Sequence, residues 1–569
     1  MSFKISHTAE NAAFTALSLI FLSVSTSVYA QQAATTENGT FIIDNAQAIA
    51  SSETETAPLL MTDAQKFALA MQEGFSNLGE AGAEFAAFYA SRDYAPIWAD
   101  GSSQKIAALV SALETAPDHG LPMARYHVAA LDAQASTPEA MAALEVAAAT
   151  SYATFAKDLT AGMLDPKAID KEMNATRYVP ETADVLRDAA GATDLVAFYD
   201  TLYPQTDEYR GLMALKQELA TLVTTEGWGP QVPDGRTLRP NYSDERILAL
   251  RVRLDHRGYD VLDMDSDVYD EALVEVVKQF QTDFGLNADG LAGPQTLAAI
   301  NTQPNGRLRQ VIVNLERARW MNYDLGARHI IVNIPDFHAS LMDNGASTRT
   351  FRVVVGQNRH QTAEFSDQMT HMIANPTWHV PSSIASKEYY PQLLSDPTVL
   401  ARSNIRMLYR GTGQVIDSTM VDYTQYSSSN FPFVLQQRPG SGNALGKVKF
   451  MFPNKYNIYL HDTPSKSLFA RDARAYSHGC IRVQDPFDLA YDLLAPQEAD
   501  PQAAFQAALN TGQETRIDLV TPIPVHIVYR TVWIDADGTP QYRHDVYGRD
   551  ELVMNQLMSA GVTLVGVEG

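Results

Sequence analysis

One short segment of the sequence combines a thiol, a histidine and a glycine at neighbouring positions. It reads YSHGCIRV from Tyr476 to Val483 and contains Cys480, the only cysteine among 569 residues. A second histidine, His461, lies upstream in YNIYLHDTP. A thiol becomes a nucleophile when a base removes its proton and nearby donors stabilise the oxyanion that its attack creates. The segment is therefore a candidate for nucleophilic catalysis by a cysteine.

The alternative interpretation of Cys480 is structural, because a lone cysteine is most often a small buried hydrophobic residue. The N-terminus bears on this choice. Residues 1–30 contain Lys4, an apolar stretch and the small residues of VYA before Gln31, which is typical of a cleaved secretory signal; an uncleaved membrane anchor is the alternative. Outside the cytoplasm, structural cysteines usually form pairs, and Cys480 has no partner in its own chain. We therefore expect a thiol that is either buried and tolerated, or used.

Two histidines, His461 and His478, compete as the base. The sequence around His461 alternates like a strand and places Tyr459 on the same face as His461. Asp462 follows directly, so its side chain points to the opposite face. We therefore expect a backbone carbonyl, and not Asp462, to orient His461.

The oxyanion donors are expected in the turn before the thiol. Gly479 has no Cβ, so a substrate can approach the backbone closely at this position. The backbone N–H groups of Gly479 and Cys480 are then expected to point at the developing oxyanion.

The elements that precede this segment are mostly helical. Residues 31–60 are rich in small polar residues and predict a flexible linker. Residues 61–235 are Ala-rich, with apolar residues at three- and four-residue spacing, and predict a helical scaffold domain. His119 and His127 lie in this region without a third ligand at metal spacing, so no metal site is expected there.

Residues 241–302 predict a compact three-helix unit. Its first helix ends at Gly258, a candidate C′ residue, and its third begins at Pro294. The pattern F-Q-x-x-x-G-L followed by D-G-x-x-G-x-x-T, from Phe280 to Thr296, resembles the peptidoglycan-binding domain of cell-wall enzymes. This resemblance implies a module that binds peptidoglycan.

From about residue 327 the pattern changes to short strands rich in β-branched and aromatic residues, which predicts a mostly-β domain over 327–520. The sequence DPFDLAYDLL predicts a helix with Asp485 as its N-cap and Pro486 as its first residue. The mixed stretch 382–442 predicts an inserted, mobile cap. Residues 521–569 are assigned to a C-terminal extension, in which DADG predicts a hairpin turn.

The cysteine segment and the order of the domains resemble one enzyme family. His461, fifteen further residues and then Ser-His-Gly-Cys are similar to the signature of the YkuD-type L,D-transpeptidases. NPTWHVP and GNALGKVKF are similar to other recurring segments of that family. The resemblance implies a multidomain α+β protein with a helical scaffold domain, a three-helix peptidoglycan-binding module and a mostly-β YkuD-type catalytic domain that carries an inserted cap.

The resemblance also implies residue roles. Cys480 is the nucleophile and His461 its general base. Many smaller relatives have an asparagine two positions after the cysteine, and this chain has Arg482, so that contact is not carried over. A structural salt bridge is the alternative role of Arg482. The other implied residues either shape the turn and oxyanion hole (Ser477, His478 and Gly479) or line the substrate pocket (Tyr459, Trp378 and Arg482).

The reaction that this resemblance implies is acyl transfer without a metal or organic cofactor. The thiolate attacks the third residue of a tetrapeptide stem, D-Ala leaves, and the amine of a diamino acid on a second stem forms a 3→3 cross-link. Hydrolysis, D-amino-acid exchange and attachment of a lipoprotein use the same residues. A peptidoglycan-binding scaffold with an inactive catalytic domain is the non-enzymatic alternative.

The expected partners are peptidoglycan stem peptides and cell-wall synthases in the periplasm, and carbapenems are expected to acylate the thiol. The formal net charge of −24 disfavours nucleic acid and anionic membrane surfaces as partners. We expect no stable membrane insertion after removal of the signal.

Overall fold

The computed structural model of the protein describes residues 61–225 and 227–564. The predicted signal at 1–30 and the predicted linker at 31–60 lie outside the described residues. Within the described part of the chain, no helix is both long enough and apolar enough to pass through a bilayer. The fold is multidomain α+β, as the sequence predicts.

The N-terminal region is helical and packs around α4. Thr137 caps α4 through a hydrogen bond from the Ala140 N–H, Pro138 occupies its first position, and Gly162 with a φ of 81° follows its last residue. Buried aromatic side chains fill the core, among them Trp98 against Tyr152. The helices are α1 (Asp63–Ser76), α2 (Gly82–Ala90), α3 (Ser103–Glu114), α4 (Pro138–Ala161), α5 (Pro166–Ile169), α6 (Thr182–Gly191), α7 (Leu195–Tyr199) and α8 (Asp207–Val223).

The next unit contains three helices, as predicted: α9 (Arg246–Asp255), α10 (Glu271–Asp283) and α11 (Pro294–Asn301). Gly258 has a φ of 86°, and the N–H groups of Gly258 and Tyr259 bond the carbonyls of Asp255 and Leu254, which confirms Gly258 as a C′ residue. The spacing of the motif also has a structural reason, because Gln281 links its parts. The Gln281 amide donates to Asp289 (2.9 Å) and Thr296 (3.1 Å) and accepts from the Gly290 N–H (2.8 Å).

A helix that the sequence analysis did not anticipate, α12 (Pro304–Trp320), follows this module. It is rich in arginine, yet both members of its Arg319–Glu316 ion pair are fully buried, at 2.7 Å. Glu316 also accepts from the Leu164 N–H (2.8 Å) and the Trp320 indole (3.0 Å). The charged residues of α12 therefore take part in packing between domains. From the sequence alone, so many charges would suggest an exposed helix.

The rest of the described chain carries the strands and the remaining helices. The helices are α13 (Ser382–Ile384), α14 (Tyr390–Ser395), α15 (Val399–Arg402), α16 (Pro486–Leu494), α17 (Pro501–Asn510) and α18 (Arg549–Ser559). The strands are β1 (Arg328–Asn333), β2 (His338–Asp343), β3 (Ala346–Gly356), β4 (Phe365–Ala374), β5 (Trp378–His379), β6 (Ile405–Tyr409), β7 (Val415–Ile416), β8 (Phe433–Gln437), β9 (Val448–Met451), β10 (Leu460–His461), β11 (Ala475–Ser477), β12 (Ile481–Val483), β13 (Thr515–Val528), β14 (Val532–Ile534) and β15 (Pro540–Tyr542).

Nine strands form the main sheet in the order β11-β3-β12-β10-β9-β4-β13-β1-β2. Because β2 also pairs with β3, the sheet closes on itself around an apolar core. The helix α16 packs on this core and begins at Pro486, as predicted. Asp485 does occupy the N-cap position, but its side chain makes no capping hydrogen bond.

The cap is a small domain with its own sheet, in the order β5-β8-β6-β7, and its own buried core. Its first strand begins at Trp378 and its last strand ends at Gln437. The predicted limits of 382–442 therefore omit the strand that contains Trp378. A strand of two residues leaves too short a period-2 pattern to detect.

The predicted end of the catalytic domain at residue 520 falls inside β13, which continues to Val528 and pairs with both β1 and β4. The sequence TPIP suggests a break because proline has no N–H for a sheet ladder. The register of β13 against β4 shifts between Asp518 and Ile523, and this irregularity accommodates Pro522. The hairpin turn predicted at DADG is confirmed between β14 and β15.

Candidate active site

Two short parallel strands position the candidate catalytic residues. In the pairing of β10 with β12, Leu460 is opposite Ile481 and His461 is opposite Arg482. Leu460 and Ile481 point into the core. Side chains alternate along a strand, so the residues next to Leu460 and Ile481 in the sequence point to the opposite face. That catalytic face carries Tyr459, His461, Cys480 and Arg482.

The Ser-His-Gly-Cys turn that precedes β12 is fixed by two hydroxyl groups. Gly479 has a φ of 110°, a conformation that favours glycine. The Gly479 N–H donates to Ser477 Oγ (3.1 Å), and this hydroxyl donates to the Cys480 carbonyl (2.5 Å). Thr362 Oγ1 donates to the Gly479 carbonyl (2.8 Å). The buried Ser477 therefore holds the turn, as the resemblance implies, together with Thr362, which the sequence did not indicate.

One expected oxyanion donor is engaged elsewhere, because Gly479 gives its N–H to Ser477. The backbone N–H of Cys480 makes no hydrogen bond to any described residue, so it is the donor that remains free to meet an oxyanion. Sequence alone treats the two N–H groups as equivalent. The Ser477 hydroxyl distinguishes them.

The His478 side chain points away from the turn and is exposed. Its Nε2 lies 2.8 Å from Glu388 of the cap, and its ring lies 4.8 Å from the ring of His360. The geometry of the turn therefore comes from Ser477 and Thr362, and the expectation that His478 shapes the turn does not hold for its imidazole, which contacts the cap instead.

His461 is buried, and its Nδ1 lies 2.5 Å from the carbonyl oxygen of Asp462. Since a carbonyl only accepts, Nδ1 carries the proton and Nε2 has a free lone pair, as a general base requires. Burial, assisted by the positive charge of Arg482, lowers the pKa of His461 to about 3. The Asp462 carboxylate instead bonds the Lys447 N–H (2.8 Å), so the prediction of a backbone carbonyl as the orienting group is confirmed.

The Cys480 thiol is half-buried and donates to the Asn457 carbonyl at 3.5 Å. Burial raises the pKa of Cys480 to about 11, although hydrogen bonding from Tyr459 and the charges of Arg482 and Lys449 oppose this shift. The resting site therefore contains a protonated thiol beside a neutral imidazole.

Two cations, Arg482 and Lys449, border the thiol. Neither lies at ion-pair distance from a carboxylate among the described residues. Burial lowers the pKa of both side chains; the charge of Cys480 opposes the shift at Arg482, and the charges of Glu514 and then Cys480 oppose it at Lys449. Lys449 is opposite His461 in the pairing of β9 with β10, and its ammonium lies 5.9 Å from the Tyr459 ring centre. The structural salt bridge considered for Arg482 is absent from the described residues, which leaves both cations available to an anionic group of a substrate.

Sequence reasoning missed Lys449, although the alternation in GKVKF carried the signal. Val448 and Phe450 are buried in the core, so Lys449 between them must face outwards.

Trp378 was predicted to line the substrate pocket. The structure places it in β5, opposite Gln437 and packed against the cap core.

A segment near the C-terminus supports the catalytic turn from behind. Tyr547 donates to the Gly356 carbonyl (2.5 Å), and Arg549 donates to the Thr362 carbonyl (3.1 Å). Arg549 is buried and pairs with Glu364 at 2.5 Å. Thr362 thus connects the catalytic turn to residues far away in sequence, and no local pattern indicated this.

Comparison with known proteins gives three family matches. Residues 327–516 match the YkuD L,D-transpeptidase catalytic domain, residues 83–215 match a scaffold domain, and residues 243–300 match a putative peptidoglycan binding domain. The cysteine site lies within the first of these matches.

Two individual proteins are also similar to this chain. A putative L,D-transpeptidase of Haemophilus influenzae is 30% identical over 224 residues, which are 39% of this chain and 45% of that relative. The match therefore spans less than half of the relative. The crystal structure of an L,D-transpeptidase from Xylanimonas cellulosilytica covers 53% of this chain and 100% of its own, at 14% identity and a TM-score of 0.17, and similarity at this level carries no structural argument.

Proposed function

We propose that the protein forms 3→3 cross-links between peptidoglycan stem peptides with Cys480 as its nucleophile, starting from the match of residues 327–516 to the YkuD L,D-transpeptidase catalytic domain. Two features support the proposal. A peptidoglycan-binding domain is present in the same chain, and the catalytic face presents a base and two unpaired cations beside the thiol. The proposed site of action is the periplasm, where the enzyme has access to the cell wall.

The first step forms a thioester. Sγ of Cys480 attacks the carbonyl carbon of the third residue of a tetrapeptide stem, and His461 Nε2 accepts the thiol proton. The Cys480 N–H donates to the oxyanion. When the bond to D-Ala breaks, the imidazolium returns the proton to the leaving amine, and the acyl group remains on sulfur.

The second step resolves the thioester. The side-chain amine of a diamino acid on another stem attacks the same carbon and loses a proton to His461. The new amide is the cross-link, Cys480 leaves as a thiolate, and the imidazolium returns the proton to it. Arg482 and Lys449 bind carboxylates of the stem peptides through both steps.

The single observation that carries this proposal is the catalytic face, where His461 lies in β10 and Cys480 directly precedes the paired strand β12. The first test is intact mass after incubation with a carbapenem. We expect one adduct on the wild-type chain and none on Cys480→Ala, because no second thiol exists. An unmodified wild-type chain contradicts the proposal and favours an inactive, wall-binding scaffold.

The second test identifies the acceptor. Sacculi from cells with and without the protein are digested, and their muropeptides are analysed by mass spectrometry. Loss of 3→3 dimers without the protein supports cross-linking. Loss of tripeptides instead supports hydrolysis, loss of D-amino-acid-substituted stems supports exchange, and loss of wall-bound lipoprotein supports lipoprotein attachment.

A further inference from the structure

One buried carboxylate beside the catalytic face has no role in the proposed mechanism. Asp462 follows His461 directly, and its backbone carbonyl, not its carboxylate, bonds the imidazole. The Asp462 side chain is only 8% exposed. Burying a carboxylate is costly unless the group is paired and hydrogen-bonded, so a carboxylate at this position needs several partners.

Three donors hold the Asp462 carboxylate. The Lys447 N–H donates to Oδ2 (2.8 Å), and the Thr463 N–H (2.7 Å) and the Lys466 ammonium (2.6 Å) donate to Oδ1. Gly446 packs directly against this carboxylate. Its φ is 60°, and a Cβ at this position would overlap the Asp462 side chain. The segment GKVKF therefore begins with a glycine for two reasons, and the second is the seat of the carboxylate.

The Lys466 ammonium also connects the two strands next to the candidate catalytic residues. It donates to the Asp462 carboxylate just after β10 and to the Gln484 carbonyl (3.1 Å) just after β12. His461 is the last residue of β10, and Cys480 directly precedes β12. A single side chain thus links the ends of the strands that carry the proposed base and follow the proposed nucleophile.

The pair of Lys466 with Asp462 differs from the other lysine ion pairs of the described residues. In those pairs, the carboxylate is between 30% and 81% exposed. An exposed pair contributes little, whereas a buried carboxylate that loses its partner is costly. The lysine of this pair is itself 51% exposed, so its replacement leaves the packing of the core intact.

The charge of Asp462 also acts on the imidazole. Burial and the positive charges of Arg482 and Lys449 lower the pKa of His461, and the carbonyl and the charge of Asp462 oppose this shift. His461 becomes an imidazolium each time it accepts a proton in the proposed reaction. Asp462 supplies a negative charge that favours this state.

We propose that Lys466 and the Asp462 carboxylate form a positioning clamp, which fixes the Asp462 carbonyl at His461 Nδ1 and thereby keeps Nε2 aimed at the Cys480 thiol. The inference rests on the proposed function, in which His461 is the base. Neither clamp residue contacts the reacting atoms, so both act through His461. A purely structural role is the alternative, because the same bonds would hold any two strands together.

A double-variant cycle on the full chain separates positioning from structure. Lys466→Met removes both hydrogen bonds of the ammonium and should slow carbapenem acylation about tenfold or more at neutral pH, because a misplaced base loses much of its effect. The loss should shrink at high pH, where hydroxide supplies the thiolate. In a His461→Ala background, Lys466→Met should slow acylation by less than about twofold further, since the clamp then has no base to position.

Three further variants test the chemistry of the clamp. Asp462→Asn keeps the shape of the side chain and should show the same pH-rescued defect as Lys466→Met. Lys466→Arg keeps the charge and the donors and should lose little of the wild-type rate. Lys105→Met breaks a 2.8 Å ion pair of a comparably exposed lysine in the scaffold domain and should react like the wild type.

A second measurement does not depend on activity. Nitrogen-15 NMR of histidine-labelled protein reports the tautomer of His461, whose signal is identified by its loss in His461→Ala. We expect the Nδ1-protonated form in the wild type, because a carbonyl only accepts. In Lys466→Met, the carbonyl is no longer fixed, and we expect a mixture of the two tautomers.

Equal slowing by Lys466→Met in the wild-type and His461→Ala backgrounds overturns the inference and leaves the proposed function intact. A wild-type acylation rate or an unchanged tautomer in Lys466→Met also overturns it. A wild-type chain that the carbapenem does not acylate counts against the proposed function, while a change of tautomer in Lys466→Met still supports the clamp.

Discussion

At the scale of single residues, the proton of the resting site is bound to the sulfur of Cys480 and not to Nε2 of His461. Burial separates the two pKa values, to about 11 for Cys480 and about 3 for His461, so neither group is charged near neutral pH. The Asn457 carbonyl accepts from the thiol in this state. Deprotonation must therefore accompany attack on the substrate, when His461 Nε2 takes the proton.

Alkylation of Cys480 tests this resting state. Because its pKa is raised, the thiolate fraction should still be increasing well above neutral pH, and the rate with iodoacetamide should rise about tenfold per pH unit between about pH 7 and 10. A model cysteine peptide levels off near its pKa of about 8.5. A plateau for the protein near pH 6 would show a preformed thiolate–imidazolium pair and contradict the expectation.

The two histidines should respond differently to replacement. His461→Ala removes the base and should slow carbapenem acylation by roughly 10²- to 10⁴-fold, with partial rescue at high pH, where hydroxide supplies the thiolate. His478→Ala should cost less than about tenfold, because that imidazole is exposed and contacts the cap. The measurement is the acylation rate by intact mass at several pH values. A larger, pH-rescued defect in His478→Ala would exchange the two roles.

At the scale of elements, the catalytic turn depends on the connection between β3 and β4. Thr362 lies in this connection and bonds both the Gly479 carbonyl and the Gly356 N–H (2.9 Å). It thereby sets the direction of the Cys480 N–H. The cap approaches the same turn from the other side through a π-helical segment, Ala385–Tyr389, which contains Glu388.

Thr362→Val keeps the shape of the side chain and removes the hydroxyl. Acylation by a carbapenem should fall about tenfold or more, because the oxyanion donor is displaced. Alkylation by iodoacetamide, which needs no oxyanion hole, should change little. Thr362→Ser retains the hydroxyl and should behave like the wild type, and an equal loss in both assays would point to a general structural effect instead.

The cap should be mobile and held in part by the Glu388–His478 contact. Glu388→Gln should speed hydrogen exchange in residues 385–389, because it weakens this contact. Lys387→Gln, at an exposed neighbouring position, is the matched control. Unchanged exchange in Glu388→Gln, or exchange in the cap as slow as in the flanking strands β4 and β9 with and without substrate, would contradict a mobile cap.

At the scale of the whole molecule, Glu364 joins three distant parts of the chain. Its side chain pairs with Arg549 near the C-terminus, its N–H donates to the Glu172 carbonyl (2.8 Å), and its carbonyl accepts from the Asn174 N–H (3.0 Å). The scaffold domain and the C-terminal segment therefore meet directly behind the loop that fixes the catalytic turn.

Breaking this buried pair should destabilise the protein strongly. Arg549→Met leaves Glu364 charged and unpaired and should lower the free energy of unfolding by about 3–5 kcal/mol, while Arg549→Met with Glu364→Gln should lose less. Denaturant titration measures both. Arg187→Met, which breaks an exposed pair with Asp184, should cost under about 1 kcal/mol. A double variant that loses as much stability as Arg549→Met alone, or more, would contradict the coupling.

Several features of this protein follow from local sequence. The period-2 pattern of a strand places Tyr459 and His461 on one face, and the same pattern turns Asp462 away. The glycine of the Ser-His-Gly-Cys segment allows a backbone conformation with positive φ. The spacing of the module motif brings Gln281 to Asp289 and Thr296. These features depend on residues close in the chain, so sequence determined them.

The tertiary structure alone decided which groups complete the site. Thr362 and Arg549 reach the catalytic turn only after the sheet has closed and the C-terminal segment has packed behind it. The same packing directs His478 towards the cap and assigns the Gly479 N–H to Ser477. Such contacts join residues far apart in sequence, so their partners depend on the closure of the whole sheet and not on local spacing.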